Sequence, residues 1–158
     1  MEKKIIEVVA AAIIAQNQVL LAQRAANAQD GGLWELPGGK VEAGESHQQA
    51  LRRELQEELA LTCEIGASLG CAEVEKEHCI IRLHGYIATL PNAITPVLHC
   101  HDAVHWVSYA ELADYAMPAA DIPLVAALRQ YMQAIPNKER IIIPAENRLK
   151  INKPRNRH

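Results

Sequence analysis

Residues 38–61 read GGKVEAGESHQQALRRELQEELAL, and this stretch decides how the whole chain is interpreted. Two glycines come before a segment that holds three clustered glutamates, Glu54, Glu57 and Glu58. Carboxylate oxygens are hard ligands that suit Mg²⁺ or Mn²⁺ rather than zinc, and Mg²⁺ characteristically bridges carboxylates to substrate phosphates. The arrangement therefore predicts a divalent-metal site.

The glutamates are expected on a helix that begins near Ser46. Ser46 and Gln49 fit a capping box, and the residues from there to Leu59 include no Gly, Pro or β-branched residue. A leucine at every fourth position forms a buried stripe, and the glutamates fall within an arc of about 100° beside it. Glu54 and Glu58 are a like-charged pair four residues apart, which destabilises a helix by roughly 0.2–0.5 kcal/mol unless a cation lies between them. The stripe consists of Leu51, Leu55 and Leu59.

A run of charge more often marks the solvated face of a surface helix, and this is the alternative for the three glutamates taken alone. The preceding segment favours the metal site instead. Residues 33–36 are predicted as a short strand, and Pro37, Gly38 and Gly39 let the backbone turn and come close to a metal or a phosphate.

The spacing within residues 38–61 resembles the signature of the Nudix hydrolases, Mg²⁺-dependent enzymes that cleave a nucleoside diphosphate linked to a further group. Only Ala60 departs, because the family usually has glycine there. The resemblance implies an α/β fold, a Nudix α/β/α sandwich with a mixed sheet, over residues 1–134. The matching positions are Gly39, Glu45, Arg53, Glu54, Leu55, Glu57, Glu58 and Leu61.

The resemblance also implies roles for individual residues. Glu45 and Arg53 are expected to support the metal site as a pair, and the general base is left open between Glu58 and Glu45. Gly39 and Lys40 are candidates for substrate contact. The expected metal ligands are the carbonyl of Gly38 and the carboxylates of Glu54, Glu57 and Glu58, which would hold Mg²⁺, with Mn²⁺ as a possible substitute.

Outside the signature the chain is similar to bacterial MutT-type Nudix enzymes, and especially to their CTP pyrophosphohydrolase branch. By that resemblance Arg24 lies near the nucleotide and Asp121 contacts the base. Arg24 could instead be a surface strand end, and Asp121, two residues before Pro123, could cap the last helix. The stretches behind the resemblance are 6–11, 20–24, 33–35 and 118–124.

The resemblance implies hydrolysis of a nucleoside triphosphate to its monophosphate and pyrophosphate, in nucleotide-pool sanitation. The segment Lys76–Cys79 has neither the proline of ADP-ribose hydrolases nor the tyrosine of dinucleoside polyphosphate hydrolases, which favours a triphosphate. CTP, dCTP and 8-oxo-dGTP all stay open, because one aspartate can accept a hydrogen bond from the amine of cytosine or guanine. The alternatives are a Nudix hydrolase of a nucleotide sugar or coenzyme, and a non-catalytic nucleotide-binding Nudix module.

One position departs from the MutT-type pattern. Relatives often have a glutamate six residues before the tryptophan that matches Trp106, and this chain has Cys100 there. If that carboxylate holds a metal in relatives, another group must do so here. A zinc site is the alternative, but so few residues would need an unusually tight fold, which favours a polar loop near the substrate mouth. Its candidate ligands are His99, Cys100, His101, Asp102 and His105.

Composition predicts one domain: the chain has 158 residues, of which 49% are hydrophobic, and a formal net charge of −3. Nucleic acid is not expected as a partner. Residues 137–158 carry seven Lys or Arg and two Glu, so this part is +5 and the rest is −8. We interpret residues 135–158 as a basic C-terminal extension of unknown structure beyond a Nudix domain of residues 1–134, and the oligomeric state stays open.

Four cysteines without Cys-x-x-Cys spacing indicate reduced thiols and a cytoplasmic protein. Glu7 interrupts the apolar N-terminal stretch, so a strand is expected there rather than a signal peptide. No apolar run reaches the roughly 20 residues that span a bilayer, so no membrane partner is expected. The predicted strands are 5–14, 19–23, 33–36, 64–74, 79–89 and 104–107, and the predicted helices are 46–59, a brief helix with Ser108 and Glu111 as a capping box, and 121–134.

Overall fold

The structure, a computed structural model, describes residues 2–90 and 95–134. The predicted extension at 135–158 lies outside these residues, so the division of the chain at residue 134 stays a prediction. No helix in the described part is long and apolar enough to cross a membrane. The strands are β1 (Lys4–Ala15), β2 (Gln18–Arg24), β3 (Trp34–Glu35), β4 (Gly38–Lys40), β5 (Glu64–Glu75), β6 (Cys79–Thr89) and β7 (His101–Ser108), and the α-helices are α1 (His47–Leu59) and α2 (Asp121–Ala134), with a 3₁₀ helix at Leu112–Asp114.

The strands form one mixed sheet with the order β3-β2-β1-β6-β5, in which β4 also pairs with β1 and β7 with β2. The long central pair, β1 with β6, is parallel from Lys4 opposite Cys79 to Ile14 opposite Thr89. The other pairs are antiparallel. β1 pairs with β4 over residues 8–10 and with β2 only at its end, so the two glycines of β4 lie beside the middle of the central strand.

The two α-helices cover opposite faces of the sheet. Val9, Ala11 and Ile13 of β1 pack in one buried cluster with the leucine stripe of α1. Ala10 and Ala12 pack in a second cluster with α2. Because the later part of β1 is buried on both faces, residues 8–15 are continuously apolar rather than alternating. The predicted α/β/α sandwich with a mixed sheet and the buried leucine stripe are both confirmed.

The glycine segment differs from its prediction. Pro37, Gly38 and Gly39 were expected to let the backbone turn, but both glycines lie in strand β4, with Gly39 opposite Val9 and Gly38 opposite Ala10. The prediction failed because the glycines serve a close approach between strands rather than a change of chain direction. A Cβ on Gly38 would overlap the backbone of Val9.

Two boundaries near the end of the sheet also differ. β7 begins at His101 rather than at residue 104, because its pairing with β2 continues as far as Arg24 opposite His101, through polar residues that hid the strand. The prediction of a capping box at Ser108 is wrong. Glu111 accepts hydrogen bonds from both the backbone N–H and the hydroxyl of Ser108, and the short helix begins only at Leu112.

Both ends of α1 are now defined. The predicted capping box at Ser46 is present, with both reciprocal hydrogen bonds to Gln49. At the other end, Ala60 adopts the left-handed conformation, with φ 54° and ψ 38°. This conformation is unfavourable for alanine by roughly 1–2 kcal/mol and costs glycine almost nothing, which explains why the family prefers glycine there.

We expect Ala60→Gly to stabilise the protein by about 1 kcal/mol, because it removes the strain of a left-handed alanine at the end of α1. Urea unfolding followed by circular dichroism measures this change. Ala126→Gly is the matched control, since Ala126 is an exposed residue inside α2 and the same substitution there should destabilise by about 1 kcal/mol. Equal effects of the two substitutions would contradict the role given to Ala60.

Candidate active site

Arg53 lies at the centre of the glutamate cluster on α1. Its guanidinium donates hydrogen bonds to both carboxylate oxygens of Glu45, at 2.7 and 2.8 Å. Its Nη1 donates to Glu54 at 2.9 Å and to Glu57 at 3.2 Å, and its Nη2 donates to the carbonyl of Lys40 at 3.1 Å. The expected Glu45–Arg53 pair is therefore present, and the same arginine orients two of the predicted metal ligands.

These contacts separate Glu45 electrostatically from the other glutamates. Hydrogen bonds from Arg53, together with one from the backbone N–H of Glu42, lower the pKa of Glu45 to about 2. In turn, the hydrogen bonds from Arg53 to Glu45, Glu54 and Glu57 raise the pKa of Arg53. Glu45 is thus a firmly ionised anchor for the arginine.

Glu58 has the opposite environment. Burial raises the pKa of Glu58 to about 7, and the nearby Glu54 and Glu35 act in the same direction, while His101 lowers it. A half-buried carboxyl that is hydrogen-bonded to a second carboxyl needs more positive charge to stay ionised, and a divalent cation would supply it. The donor set therefore fits a hard divalent cation held by Glu54 and Glu58.

The two glycines of β4 bring the backbone against this cluster. A Cβ on Gly39 would overlap the carboxylate of Glu54, and one on Gly38 would overlap the backbone of Val9 and Ala10. Only glycine lets β4 pack this closely between β1 and α1. Gly38, which supplies the expected carbonyl ligand, therefore lies on β4, and Glu54 lies on α1. These two elements are in direct contact.

The cluster opens into a cleft of about 840 Å³, a volume within the usual range for small-molecule sites. The cleft joins the glutamate end of α1 to the start of α2. Its lining combines apolar side chains of β1 and β6 with charged groups from several elements, as a site for a charged ligand with an apolar part requires. The predicted site residues among its lining are Arg24, Gly38, Gly39, Lys40, Glu58 and Asp121.

Arg24 belongs to this cleft and is not a simple surface strand end. Its Nε donates to the carbonyl of Gln29 at 2.7 Å, and its Nη1 donates to Glu35 at 2.9 Å. The second oxygen of Glu35 lies 3.0 Å from Nε2 of His101. The His101 side chain is 5% exposed, and its Nδ1 has no hydrogen-bond partner among residues 2–90 and 95–134.

Sequence reasoning missed the Glu35–His101 pair. Glu35 was treated only as part of a strand, and its partner is 66 residues away, so no local spacing could reveal the contact. The possible zinc site is not formed by its five residues within the described chain: His105 contacts the hydroxyl of Tyr115 and Asp102 accepts from a backbone N–H. Cys100 and His101 line the cleft instead, but His101 begins strand β7, so most of this segment is not the polar loop that was expected near the substrate mouth.

Asp121 lines the same cleft and is 4% exposed. Its carboxylate accepts a hydrogen bond of 3.0 Å from the backbone N–H of Leu36. Burial raises the pKa of Asp121 to about 7, although the Leu36 hydrogen bond opposes the shift. α2 begins at Asp121 itself, and the carboxylate ties this helix to the loop before β4, which differs from the simple capping role considered above.

Comparisons with known proteins agree on the family. The NUDIX domain family model matches residues 5–128. A CTP pyrophosphohydrolase of Escherichia coli strain K12 is 42% identical over 133 residues, which cover 84% of this chain and 98% of the relative. An 8-oxo-dGTP diphosphatase of Proteus vulgaris is 47% identical over 62 residues, which cover 39% of this chain and 55% of the relative.

A solved structure shows the same fold. The solution structure of the E. coli ORF135 protein superposes with a TM-score of 0.73 and 42% sequence identity. The match covers 85% of this chain and 96% of that protein. The similarity thus extends over the sheet and both helices as well as the glutamate signature.

We expect Gly39→Ala to weaken binding of a divalent cation by at least about 10-fold, because the added methyl group displaces the Glu54 carboxylate. Titration of the purified protein with Mn²⁺, followed by electron paramagnetic resonance, measures the affinity. Gly66→Ala is the matched control, because the nearest atom to its Cβ is the Ile87 carbonyl oxygen at an ordinary 3.5 Å. An unchanged Mn²⁺ affinity in a folded Gly39→Ala protein would show that the position of the Glu54 carboxylate does not depend on the missing side chain at residue 39.

Asp121 should make stability depend on pH. Because the folded-state pKa of about 7 lies above the ordinary value of 3.8, the stability contributed by the protonated Asp121 carboxyl is complete below about pH 4. This contribution is lost by up to about 1.4 kcal/mol per pH unit as pH rises to about 7. Asp121→Asn preserves an acceptor for Leu36 but does not titrate, so its stability should fall less steeply over this range.

Urea unfolding at several pH values in the presence of a metal chelator measures both slopes. Asp30→Asn is the control, because Asp30 is exposed and its substitution should leave the wild-type slope unchanged. Parallel pH profiles for wild type and Asp121→Asn would mean that Asp121 is ionised in the folded protein throughout this range.

Proposed function

The chain belongs to the Nudix hydrolase family, and on that premise we propose that it is a Mg²⁺-dependent pyrophosphohydrolase of CTP, dCTP or 8-oxo-dGTP. Enzymes of this family generally use a divalent metal and hydrolyse phosphoric anhydrides of nucleotides. Mg²⁺ is proposed over softer cations because the donor set consists of carboxylates, and Mn²⁺ can substitute. Nucleotide-pool sanitation in the cytoplasm is the proposed role, and the cysteines of the described chain, all free, suit that compartment.

The observation that carries this proposal is a single cleft that is lined both by a carboxylate of the glutamate cluster and by a separate buried carboxyl. Glu58 is the first of these groups and Asp121 the second, and Arg24 lines the same cleft. A nucleoside triphosphate has the matching set of groups, with phosphates that need cations and a base that offers hydrogen bonds. The proposed metal ligands are Gly38 through its carbonyl, Glu54, Glu57 and Glu58.

The bound metal would lower the pKa of a coordinated water and offset negative charge on the phosphates. Glu45 holds Arg53 in place, and Arg53 in turn orients the metal-binding carboxylates of Glu54 and Glu57. The positive charge of Arg53 reduces the repulsion between these two carboxylates. Lys40 and Arg24, both on the cleft wall, are proposed to contact the phosphates. The oxygen of water forms a new bond to phosphorus, one phosphoric anhydride bond breaks, and the products are a nucleoside monophosphate and pyrophosphate.

Glu58 is a better candidate than Glu45 for the general base. A base must reach the substrate water, and Glu58 lines the cleft whereas Glu45 does not. Glu45 also has both oxygens engaged by Arg53. We therefore propose that Glu58 takes the proton of the attacking water and that Glu45 acts only through the arginine.

Asp121 is proposed to contact the base of the nucleotide. Its carboxylate is held at the cleft wall by the Leu36 N–H, beside the apolar side chains of Leu36 and Leu83. An ionised carboxylate accepts a hydrogen bond from an exocyclic amine, and a protonated one also donates. This group therefore suits cytosine and guanine derivatives, the two bases named for the relatives.

We expect Glu57→Gln to lower kcat/KM for pyrophosphate release by at least about 100-fold with little effect on stability. Glu57 is 54% exposed at its side chain, so the substitution perturbs the metal site without disturbing the core. The assay is pyrophosphate release with Mg²⁺ from CTP, dCTP, dGTP and 8-oxo-dGTP, together with release of AMP and ribose 5-phosphate from ADP-ribose. Glu64→Gln, an exposed glutamate of β5, should retain wild-type rates.

Wild-type protein that releases no pyrophosphate from any triphosphate would contradict the proposal. Equal background rates in the wild type and Glu57→Gln would favour a non-catalytic nucleotide-binding module. Faster hydrolysis of ADP-ribose than of every triphosphate would move the substrate to the nucleotide-sugar or coenzyme class. Preference for CTP and dCTP, or for 8-oxo-dGTP over dGTP, would choose between the two proposed substrates.

A further inference from the structure

A second group of possible metal ligands lies outside the glutamate cluster. Glu7 of β1, His84 of β6 and His47, the first residue of α1, offer ligand atoms that all lie within 4.8 Å of one another. Nε2 of His84 is 2.7 Å from a carboxylate oxygen of Glu7, and the centres of the two imidazole rings are 4.2 Å apart. Three elements that are distant in sequence thus converge on one point.

Neighbouring side chains hold two of these groups, His47 and Glu7, in fixed orientations. Nδ1 of His47 is 2.7 Å from the hydroxyl of Tyr86, which leaves Nε2 as its second nitrogen. The other carboxylate oxygen of Glu7 accepts a hydrogen bond of 3.0 Å from Arg82. Metal-binding histidines and carboxylates characteristically have their other polar atom held in this way, which fixes the ring or carboxylate orientation.

The group lies on the face of the sheet that α1 covers. Glu7 alternates with Val9, which packs against α1, and none of the three groups is among the residues that line the cleft. The nucleotide cleft therefore does not account for these two histidines. A purely structural network of hydrogen bonds would explain the Glu7–His84 contact, but it gives no reason for a second imidazole stacked against the first.

We propose that Glu7, His47 and His84 form a binding site for a borderline-soft divalent cation such as Zn²⁺. Two imidazoles and one carboxylate are a typical ligand set for zinc, whereas Mg²⁺ prefers oxygen ligands only. Arg82 stays on the carboxylate oxygen that does not face the metal. A water molecule completes a four-coordinate shell, since three protein ligands leave one position open.

A cation in this site would connect the beginning of α1 to the two central strands. His47 follows Ser46, the capping residue of the helix that bears Glu54, Glu57 and Glu58. Occupation would therefore stabilise the folded protein and the position of that helix on the sheet. At a free concentration 100 times the dissociation constant, we expect the melting temperature to rise by about 5–10 °C.

The test uses the full chain, freed of metal with a chelator and kept in excess Mg²⁺ to occupy the carboxylate cluster. Calorimetric titration with Zn²⁺ gives the number of sites, and Co²⁺ reports the ligand geometry through its visible absorption. We expect one tight site with a tetrahedral Co²⁺ spectrum. The double substitution His47→Ala/His84→Ala should remove that site and the rise in melting temperature.

Three variants separate this site from other zinc-binding groups. Glu57→Gln and Cys100→Ser should retain the tight site, because neither residue belongs to it, and His78→Ala controls for an exposed histidine, 88% accessible at its side chain. If the double variant does not fold, Glu7→Gln decides, because it keeps the size of the side chain and should weaken zinc at least about 10-fold. The proposal would be overturned if the wild-type protein has no tight zinc site. It would also be overturned if Glu7→Gln and a folded double variant both bind zinc with wild-type affinity.

Discussion

The guanidinium of Arg53 holds together carboxylates that would otherwise repel one another, and the candidate site depends on this interaction. It donates to Glu45, Glu54 and Glu57 as well as to the backbone of Lys40. An arginine suits this position because its planar group offers five donors in a fixed geometry and stays charged at all relevant pH values. The helix α1, the strand β4 and the loop between them are therefore connected at a single side chain.

The same interaction divides the site's carboxyls into two kinds. Glu45, bonded to the arginine through both oxygens, has a pKa of about 2, whereas the half-buried Glu58 and the buried Asp121 each have a pKa of about 7. The distinction arises from contacts and burial, since Glu45 and Glu58 are chemically identical side chains. One kind keeps its charge and holds the arginine in place, and the other can exchange a proton near neutral pH when no cation is bound.

The fold also shows where local sequence signals succeed. The capping box at Ser46, the leucine stripe and the long apolar strands depend on neighbours within a few residues, and the structure contains all of them. Local signals failed at Gly38 and Gly39, which form a strand. A glycine pair indicates backbone freedom, but it does not reveal whether that freedom serves a turn or a close approach to another element.

The sequence by itself determined the family signature, the catalytic helix and the grouping of three glutamates, because these features have fixed spacings along one helix. Only the tertiary structure decided that Glu35 meets His101, that Asp121 is held by Leu36, and that Glu7 meets two histidines. These contacts join residues that are far apart in the chain. Their partners are chosen by how the strands pair and which face each side chain takes, and neither choice is encoded in a short stretch of sequence.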